Sequence, residues 1–283
     1  MKSTTNYWDN IERVKDFLNT ADAVLVGIGA GMSTAAGFTY SGERFHKYFE
    51  DFHKKYGITD MYSGGFYPFE SMEEYWAWWS RHIYYNCYDV PVGEPYVQLM
   101  KLLQDKNYFV ITTNVDHQMQ LAGVDKNRLY YMQGDYGLWQ CSDPCHQKTY
   151  DNEEQVRRMV KEQKDMKIPT ELIPHCPRCG ELMTMNLRID GTFVQDEGWY
   201  AAQNRYVDFI ERYKDKKLIM LELGVGYNTP MIIKYPFMRI AHDNIDALYV
   251  PINIEDQPIP FEIHKNTVSF NNDIQKVMND LLS

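Results

Sequence analysis

A short apolar run that ends in a glycine turn constrains the fold of this chain more than any other segment. The run is Ala23-Val24-Leu25-Val26-Gly27-Ile28, and Gly29-Ala30-Gly31 follows it directly. An unbroken apolar stretch of this length is typical of a parallel strand that is buried on both faces. Met32-Ser33-Thr34-Ala35-Ala36 then has the composition of a helix start. The order strand, glycine turn, helix predicts the first unit of an α/β sheet, in an arrangement that can hold a pyrophosphate.

The glycines of this turn are a weak functional signal when taken alone. Gly29, Gly31 and the later Gly37 would let the backbone approach phosphate oxygens without a Cβ clash. A simple turn between a strand and a helix explains the same residues. The spacing also departs from the usual G-x-G-x-x-G, because Ser33-Thr34 occupies part of it.

Further apolar runs alternate with helical patterns along the chain. Strands are predicted at residues 108–112, 128–132, 217–224 and 247–253, and helices at 9–18, 96–103 and 273–282. Residues 46–90 are rich in Tyr and Trp at helical spacing and predict an inserted helical module, in which core packing explains the tryptophans. This alternation predicts a Rossmann-like, doubly wound parallel sheet with a smaller module.

Polar side chains follow the predicted strand 108–112. Asn114 and Asp116 come directly after it, and ligand sites of open α/β sheets lie at such carboxyl ends. An asparagine offers both a donor and an acceptor, so Asn114 could orient ribose hydroxyls or a water. Polar residues that merely close a turn would give the same pattern.

Four of the five cysteines form two close pairs. Cys141 and Cys145 are separated by three residues, and Cys176 and Cys179 by two. Four thiolates at such spacings suit a tetrahedral structural zinc site, and incidental reduced cysteines are the alternative. The adjacent His146 and His175 could replace a ligand. The fifth, Cys87, fits a small buried apolar residue better than a nucleophile.

Composition excludes some classes of partner. The chain has 283 residues, with 29 Lys and Arg against 39 Asp and Glu, which gives a formal net charge of −10. This balance argues against a nucleic-acid-binding surface, which needs clustered cations. No apolar stretch approaches the ~20 residues that span a bilayer. The first residues are not followed by an apolar signal region, so a soluble, cytoplasmic protein with no membrane partner is expected.

Several motifs in order resemble those of the sirtuin family. Residues 29–37 are similar to its G-A-G-x-S-x-x-S-G segment, and residues 113–116 to its Q-N-x-D, with Thr113 for Gln. The four paired cysteines match its zinc ligands. Gly224-Val225-Gly226 resembles its G-T-S/G-S-S turn, and Ile252-Asn253-Ile254-Glu255 its I-N-x-E. The resemblance covers nearly the whole chain.

The resemblance implies NAD and zinc as cofactors and assigns site residues. It implies catalytic roles for Asn114, Gln133 and Asp116, and a zinc site formed by the four paired cysteines, Cys141, Cys145, Cys176 and Cys179. The positions that it implies for NAD binding are Ala30, Gly31, Ser33, Gly37, Arg44, Phe45, Thr113, Asn114, Asp116, Gln133, Gly224, Val225, Gly226, Asn228, Asn253, Ile254 and Asn272.

Two segments depart from the family pattern. Gln133 stands where the family has its catalytic histidine, in Met132-Gln133-Gly134. Residues 38–45 differ from the family's I-P-D-F-R, and Arg44 matches its arginine only across an insertion. These departures resemble the macrodomain-linked, class M sirtuins of microbes. That branch implies protein mono-ADP-ribosylation, a lipoylated glycine-cleavage H-like carrier protein as acceptor, and a macrodomain hydrolase as partner.

The chemistry of Gln133 supports the same function. In sirtuin deacylation a histidine removes a ribose proton, and a glutamine has no such proton equilibrium. Departure of nicotinamide does not need that base. The sequence therefore predicts an NAD-dependent protein mono-ADP-ribosyltransferase. An NAD-dependent deacylase, an NAD glycohydrolase and a catalytically silent NAD-binding module remain the alternatives.

The motifs also predict how the chain is divided. Residues 1–45, 92–137 and 186–283 are expected to form the NAD-binding Rossmann-like domain. The helical insertion 46–91 and the zinc module 138–185 are expected to form the small domain together.

Overall fold

A computed structural model describes residues 4–227 and 230–283 of the chain. A parallel sheet of six strands is its main element, in the order β3-β2-β1-β7-β8-β9. The strands are β1 (Ala23–Ile28), β2 (Tyr108–Thr112), β3 (Leu129–Tyr131), β7 (Leu218–Leu223), β8 (Leu248–Asn253) and β9 (Phe270–Asn271). The strand order reverses between β1 and β7, which creates a crevice at their carboxyl ends. The predicted Rossmann-like sheet is confirmed.

Strand β1 is buried along its whole length and contributes side chains to two hydrophobic cores. Val24, Val26 and Ile28 point into the core on one face of the sheet, whereas Ala23 and Leu25 point into the core on the other. The first face is covered by helices α1 (Thr4–Thr20), α2 (Ala30–Ala35), α6 (Glu94–Leu102) and α11 (Ile274–Leu282). The second is covered by α9 (Glu197–Tyr213) and α10 (Lys234–Asp243). The apolar run of this strand is thus explained by burial on both sides.

A smaller module packs around a third core. Its helices are α3 (Glu43–Tyr56), α4 (Met61–Gly64), α5 (Met72–Ile83) and α8 (Glu153–Glu162). They pack against an antiparallel sheet in the order β5-β4-β6, made of β4 (Gly134–Cys141), β5 (Tyr150–Asp151) and β6 (Met183–Leu187). Trp76 and Trp78 are completely buried there, so core packing explains these tryptophans as predicted. The sequence did not predict this sheet.

Short irregular elements join the main ones. Helix α5 continues directly into a π-helical turn, Tyr84–Tyr88, and α7 (Gln118–Leu121) follows β2. Turns of 3₁₀-helix lie at Lys126–Arg128, Thr170–Leu172 and Phe261–Asn266. Among the described residues, no helix is both long enough and apolar enough to cross a bilayer.

Candidate active site

The glycine turn after β1 is held tightly against the end of β7. The amide of Gly29 donates to the carbonyl of Leu223 at 3.0 Å, and that of Gly31 to the carbonyl of Gly224 at 2.9 Å. A Cβ on Gly31 would lie 2.6 Å from the Gly224 Cα, and one on Gly29 would lie 2.7 Å from the Gly224 oxygen. Both positions therefore require glycine because two backbone segments are in contact there, whether or not a ligand also approaches.

A long cavity of about 660 Å³ runs along the carboxyl ends of β1, β7 and β8. It brings together eleven of the residues predicted to bind NAD: Ala30, Gly31, Thr113, Asn114, Gln133, Gly224, Val225, Gly226, Asn253, Ile254 and Asn272. Asn228, which was also predicted, lies outside the described residues. The sites predicted after several different strands thus converge on one crevice at the switch point of the sheet.

Two further cavities adjoin the long one. The inner cavity, about 530 Å³, is lined by Ala30, Ser33, Thr34, Phe38, Thr39, Tyr40, Ser41, Tyr62, Asn86, Thr113, Asn114, Val115, Asp116 and Tyr136. The outer cavity, about 350 Å³, is lined by Met61, Tyr62, Phe66, Trp79, His82, Thr113, Val115, Gln133, Tyr136, Leu187, Arg188 and Ile189. Tyr62 and Thr113 line all three cavities, so their position is the junction where the three meet.

Asn114 is fixed by a network of hydrogen bonds at this junction. Its side-chain nitrogen donates to the Gly29 carbonyl at 3.0 Å, to Ser33 Oγ at 2.9 Å and to the Tyr96 hydroxyl at 3.2 Å. Its backbone amide donates to Thr112 Oγ1 at 3.0 Å. Because the amide nitrogen is engaged by the protein, the side-chain carbonyl oxygen is the atom available to a ligand.

Asp116 lies beneath the same network. The Ser33 hydroxyl donates to its Oδ2, and the Gln118 backbone amide donates to its Oδ1 at 3.2 Å. Burial raises the pKa of Asp116, although these hydrogen bonds act in the opposite direction. Asp116 therefore holds Ser33, and through it Asn114, in place.

Gln133 sits where the two sheets approach each other. Its carbonyl accepts a hydrogen bond from the Arg188 amide at 3.0 Å. The next residue, Gly134, has a φ of 95°, and a Cβ there would lie 1.9 Å from the Asn186 oxygen. The backbone at Gln133 is thus held against the end of β6. Its side chain lines both the long and the outer cavity.

The segment after the glycine turn departs from the prediction. Phe45 is completely buried against Phe49 and Trp78 in the core of the small module and lines none of the three cavities. Gly37 is exposed and lines none of them either. Arg44 lies one layer back, where its guanidinium donates to Asn86 Oδ1 at 2.8 Å and to the Tyr85 carbonyl at 2.6 Å. Phe38 and Tyr40 face the inner cavity instead.

The sequence did not identify a buried hydrogen-bonded chain that reaches the inner and outer cavities. His82 Nε2 lies 2.8 Å from the Tyr136 hydroxyl, which lies 2.9 Å from the Tyr40 hydroxyl. Burial lowers the pKa of His82 to about 3 and raises that of Tyr40 to about 12, so both are neutral near pH 7. Arg188 and Tyr62 were also missed. No local sequence pattern marks these two residues, because packing of segments that are distant in sequence brings them to the cavities.

The four paired cysteines form one cluster. All four sulfur atoms lie within 4.8 Å of one another, with Cys141 and Cys179 Sγ 3.6 Å apart and Cys145 and Cys176 Sγ 3.7 Å apart. Four thiolates at ~2.3 Å around zinc would be about 3.8 Å apart, so the cluster fits a tetrahedral zinc ion. Burial raises the pKa of Cys176, but backbone hydrogen bonds from Cys179 and Arg178 outweigh it and bring the value to about 7.

Another cavity lies away from this crevice. Its volume is about 870 Å³, and Lys101, Lys106 and Arg128 are among the residues that line it. It is an open groove near the amino ends of β2 and β3, and none of the residues predicted to bind NAD lines it. Volume alone therefore does not locate the candidate site, whereas the convergence of polar side chains does.

Comparison with known proteins finds relatives of this chain. A family model described as the Sir2 family matches residues 29–210. A "Protein ADP-ribosyltransferase" of Staphylococcus aureus (strain Mu50 / ATCC 700699) is 41% identical over 272 residues, which are 96% of this chain and 86% of that protein. A "Probable bifunctional ADP-ribose hydrolase/ADP-ribosyltransferase" of Fusarium oxysporum f. sp. cubense is 30% identical over 242 residues, 80% of this chain and 39% of that longer protein.

Solved structures share the fold at low sequence identity. Sir2Tm bound to a propionylated peptide superposes with a TM-score of 0.61 at 19% identity, covering 96% of this chain and 97% of that one. A complex described as Sir2-p53 peptide-NAD+ superposes with a TM-score of 0.57 at 20% identity, with the same coverage of 96% and 97%. At this identity the likeness shows the fold alone.

Proposed function

Because the chain belongs to the Sir2 family, we propose that it is an NAD-dependent protein mono-ADP-ribosyltransferase. The reaction releases nicotinamide and transfers ADP-ribose to a protein acceptor. The predicted resemblance to sirtuins is confirmed by the family match. The two relatives described above both carry ADP-ribosyl transfer in their names, which supports this activity over the deacylase and glycohydrolase alternatives.

The observation that carries the proposal is the side chain at position 133. Gln133 lines both the long and the outer cavity, where a proton-accepting histidine would serve deacylation. His82 is the one imidazole among the described residues that line the three cavities, and its pKa of about 3 makes it a poor base at neutral pH. Loss of a general base typically costs ~10²–10⁴ in the rate of a step that needs it. A step that needs no base is spared.

The residues of the long cavity fit NAD. The cavity lies at the switch point of a parallel sheet, where such folds bind dinucleotides. Helix α2 begins at this point, and no side chain caps its N-terminus. Ala30 and Gly31 are proposed to hold the pyrophosphate, and Gly224, Gly226 and Asn253 the adenosine. Bound there, NAD would supply an anomeric carbon activated by its nicotinamide leaving group.

Each proposed catalytic residue has a distinct role. The Asn114 carbonyl oxygen orients the reacting ribose, because its amide nitrogen is already engaged. Asp116 holds Ser33 and the Asn114 network. Gln133 donates or accepts a hydrogen bond at the ribose without taking its proton. An acceptor carboxylate is ionised at neutral pH and needs no base to act as the nucleophile.

The identity of the acceptor rests on the family resemblance alone. We propose a lipoylated glycine-cleavage H-like carrier protein as acceptor and a macrodomain hydrolase as the enzyme that reverses the modification. The outer cavity is the proposed entry for the acceptor, since it joins the long cavity at Gln133.

We further propose one structural zinc ion held by the four paired cysteines, and the two-domain division given above.

The test is a product analysis with labelled NAD. The protein is incubated with NAD labelled in the ADP-ribose moiety, with the lipoylated carrier protein and separately with an acetylated peptide. Label on the carrier supports the proposal. Free ADP-ribose as the sole product would instead establish a glycohydrolase. O-acetyl-ADP-ribose from the peptide would establish a deacylase, and binding of NAD without turnover would establish a silent module.

A further inference from the structure

A transferase that works without a base faces competition from water. In the proposed reaction the bond between the anomeric carbon and nicotinamide breaks, and its electron pair leaves with nicotinamide. The new bond forms to an acceptor carboxylate oxygen, which gives protein-bound ADP-ribose, or to a water oxygen, which gives free ADP-ribose and a proton. Since no base favours the acceptor, selection between the two must come from what reaches the anomeric carbon.

Tyr62 occupies the point where this selection would take place. It lines the long, inner and outer cavities, and Thr113 is the other described residue that does so. The two residues belong to opposite walls. Thr113 directly follows strand β2 of the parallel sheet, whereas Tyr62 lies on α4 of the small module. Tyr62 thus lies at the junction on the wall that the small module contributes.

The backbone beneath Tyr62 is fixed by its neighbours. Asp60 caps α4 by accepting from the amides of Tyr62 and Ser63, both at 2.8 Å. Met61 is buried, and its amide donates to the Tyr40 carbonyl at 2.8 Å. A Cβ on Gly64 would lie 2.0 Å from the Trp78 ring, which shows how closely α4 meets the core. A rigid four-residue helix therefore presents the ring.

Tyr62 is largely exposed to solvent. Tyr62 is 68% exposed, and the only aromatic ring near it among the described residues is Phe66, edge-on at 5.3 Å. A large aromatic surface at a cavity mouth is suited to being covered by a docking protein. Covering it would leave the inner side of the ring as an apolar wall over the reacting ribose.

From these observations we infer that Tyr62 selects the acceptor over water by covering the cavity junction. The inference rests on the proposed function, because it concerns the fate of the ribosyl group in that reaction. The hydroxyl group takes no part, so a phenylalanine should serve as well. Loss of the ring should admit water and divert the reaction towards free ADP-ribose.

The experiment measures how the cleaved NAD is divided among its products. The full chain is compared with Tyr62→Ala, Tyr62→Phe and Tyr200→Ala, a control tyrosine on α9 that is 49% exposed and lines none of the three cavities. Without any acceptor, labelled nicotinamide reports recapture to NAD and free ADP-ribose reports capture by water. With the lipoylated carrier protein, label on the carrier is compared with free ADP-ribose. Thermal unfolding checks that each variant is folded.

For Tyr62→Ala, the ratio of recapture to hydrolysis should fall by about threefold or more, and the share of label on the carrier should fall with it. Tyr62→Phe should restore both ratios, and Tyr200→Ala should match the wild type. An unchanged ratio in Tyr62→Ala would overturn the inference. So would loss of NAD cleavage in that variant, since Tyr62 would then serve NAD binding. Failure of the wild type to label any carrier would contradict the proposed function, while the acceptor-free ratio would still test Tyr62.

Discussion

The two walls of the cleft are built in opposite ways. The sheet wall consists of the strand ends and turns at residues 29–33, 113–116, 224–226 and 253, and it presents backbone groups and short polar side chains. The module wall consists of Tyr40, Tyr62, His82, Tyr136 and residues 187–189, and it presents mainly rings and aliphatic groups. The first wall is suited to a polar ligand with a fixed geometry, and the second to a partner protein.

The difference accounts for the glycines that this chain shares with the family pattern. On the sheet wall, close backbone contacts such as Gly31 against Gly224 leave little room for another residue. On the module wall, a side chain can change as long as the ring core behind it stays packed. Gln133 lies at the seam between the two walls, and the proposed change in chemistry is located there.

The largest effect is expected from the cysteines that support the module wall. Cys176→Ser should remove zinc and unfold the small module, because structural zinc sites contribute ~10–16 kcal/mol of apparent binding free energy. Elemental analysis and near-UV circular dichroism measure the two losses. Cys87→Ala is the matched control, because Cys87 lies outside the cluster of four cysteines. This variant should keep one zinc per chain. Well-folded wild-type protein without any metal would refute the site.

On the sheet wall, Asn114→Ala should abolish transfer. The variant loses the carbonyl oxygen proposed to orient the ribose and leaves Ser33 and Tyr96 without their shared partner. We expect kcat to fall by ~10²-fold or more, because misplacement of the reacting group alone can cost that much. Affinity for NAD, measured by calorimetry, should change far less. A variant with kcat close to that of the wild type would show that another group orients the ribose.

Two glycines of the sheet wall should respond differently to an added side chain. Gly31→Val should weaken NAD binding by more than ~10-fold, since a Cβ at Gly31 meets backbone atoms of Gly224 that cannot give way. Gly226→Ala should weaken binding less, because a Cβ there meets no described protein atom within 4 Å and only its proposed contact with the adenosine is affected. Calorimetric titration with NAD compares the two. Unchanged affinity for NAD in Gly31→Val would show that the pyrophosphate does not bind at this turn.

At the seam, Gln133→Ala should have a moderate effect. The variant loses hydrogen bonds worth ~0.5–1.5 kcal/mol each, which corresponds to a fall in transfer rate of about 2- to 12-fold. Gln133→His restores an imidazole, yet it need not restore deacylation because residues 38–45 also differ from the family pattern. Transfer and deacylation are measured side by side. Robust deacylation by the wild type would mean that another residue supplies the base.

The smallest effect concerns a hydrogen bond between the segment that follows Asp116 and the segment that follows Gly134. His117 Nδ1 lies 2.8 Å from Asp135 Oδ2, one residue beyond Asp116 and Gly134 respectively. Burial lowers the pKa of His117, but Asp135 outweighs it and the net pKa is raised. The pair therefore stabilises the fold fully below the unfolded pKa of ~6.5, and this contribution is lost as pH rises through the folded pKa.

The expected contribution of His117 is about 1 kcal/mol or less, because its side chain is partly exposed. His117→Asn keeps a residue that tolerates the left-handed backbone there, with φ of 63°. Urea unfolding between pH 5 and 9 should show a smaller loss of stability with rising pH for this variant than for the wild type. His242→Asn, at a pair whose two side chains are both 61% exposed, is the control and should change the slope less than His117→Asn does. Identical slopes for His117→Asn and wild type would contradict the assignment.

The sequence was most informative about the sheet wall. The sequence predicted β1, β2, β7 and β8 because each is an apolar run that is buried on both faces. Polar residues that directly follow these strands line one cavity, because the carboxyl ends of parallel strands lie at the same edge of the sheet. Strands β4 to β6 were missed because they are short or interrupted. Strand β4, for example, carries Gly134, Asp135 and Gly137, and its pairing with β6 shifts register between Gly134 and Trp139.

The module wall could not be predicted for a different reason. Phe45 was assigned to the cofactor together with Arg44, the residue that matches the family's arginine only across an insertion. In the structure Phe45, Phe49 and Phe52 share one face of α3 and are completely buried. Tyr62, His82 and Arg188 reach the cavities through tertiary packing of segments that are distant in sequence from Gln133. Local patterns carry no record of such contacts.

The π-helical turn at Tyr84–Tyr88 has a consequence for how this pocket changes over evolution. Asn86, in that turn, accepts from Arg44 at 2.8 Å, donates to the His82 carbonyl at 2.8 Å and lines the inner cavity. A π turn holds one residue more than an α turn. Deleting one residue would restore regular winding and rotate the following residues by about 100°. Gain or loss of a single codon can thus redirect Asn86 in one step, which no substitution at that position achieves.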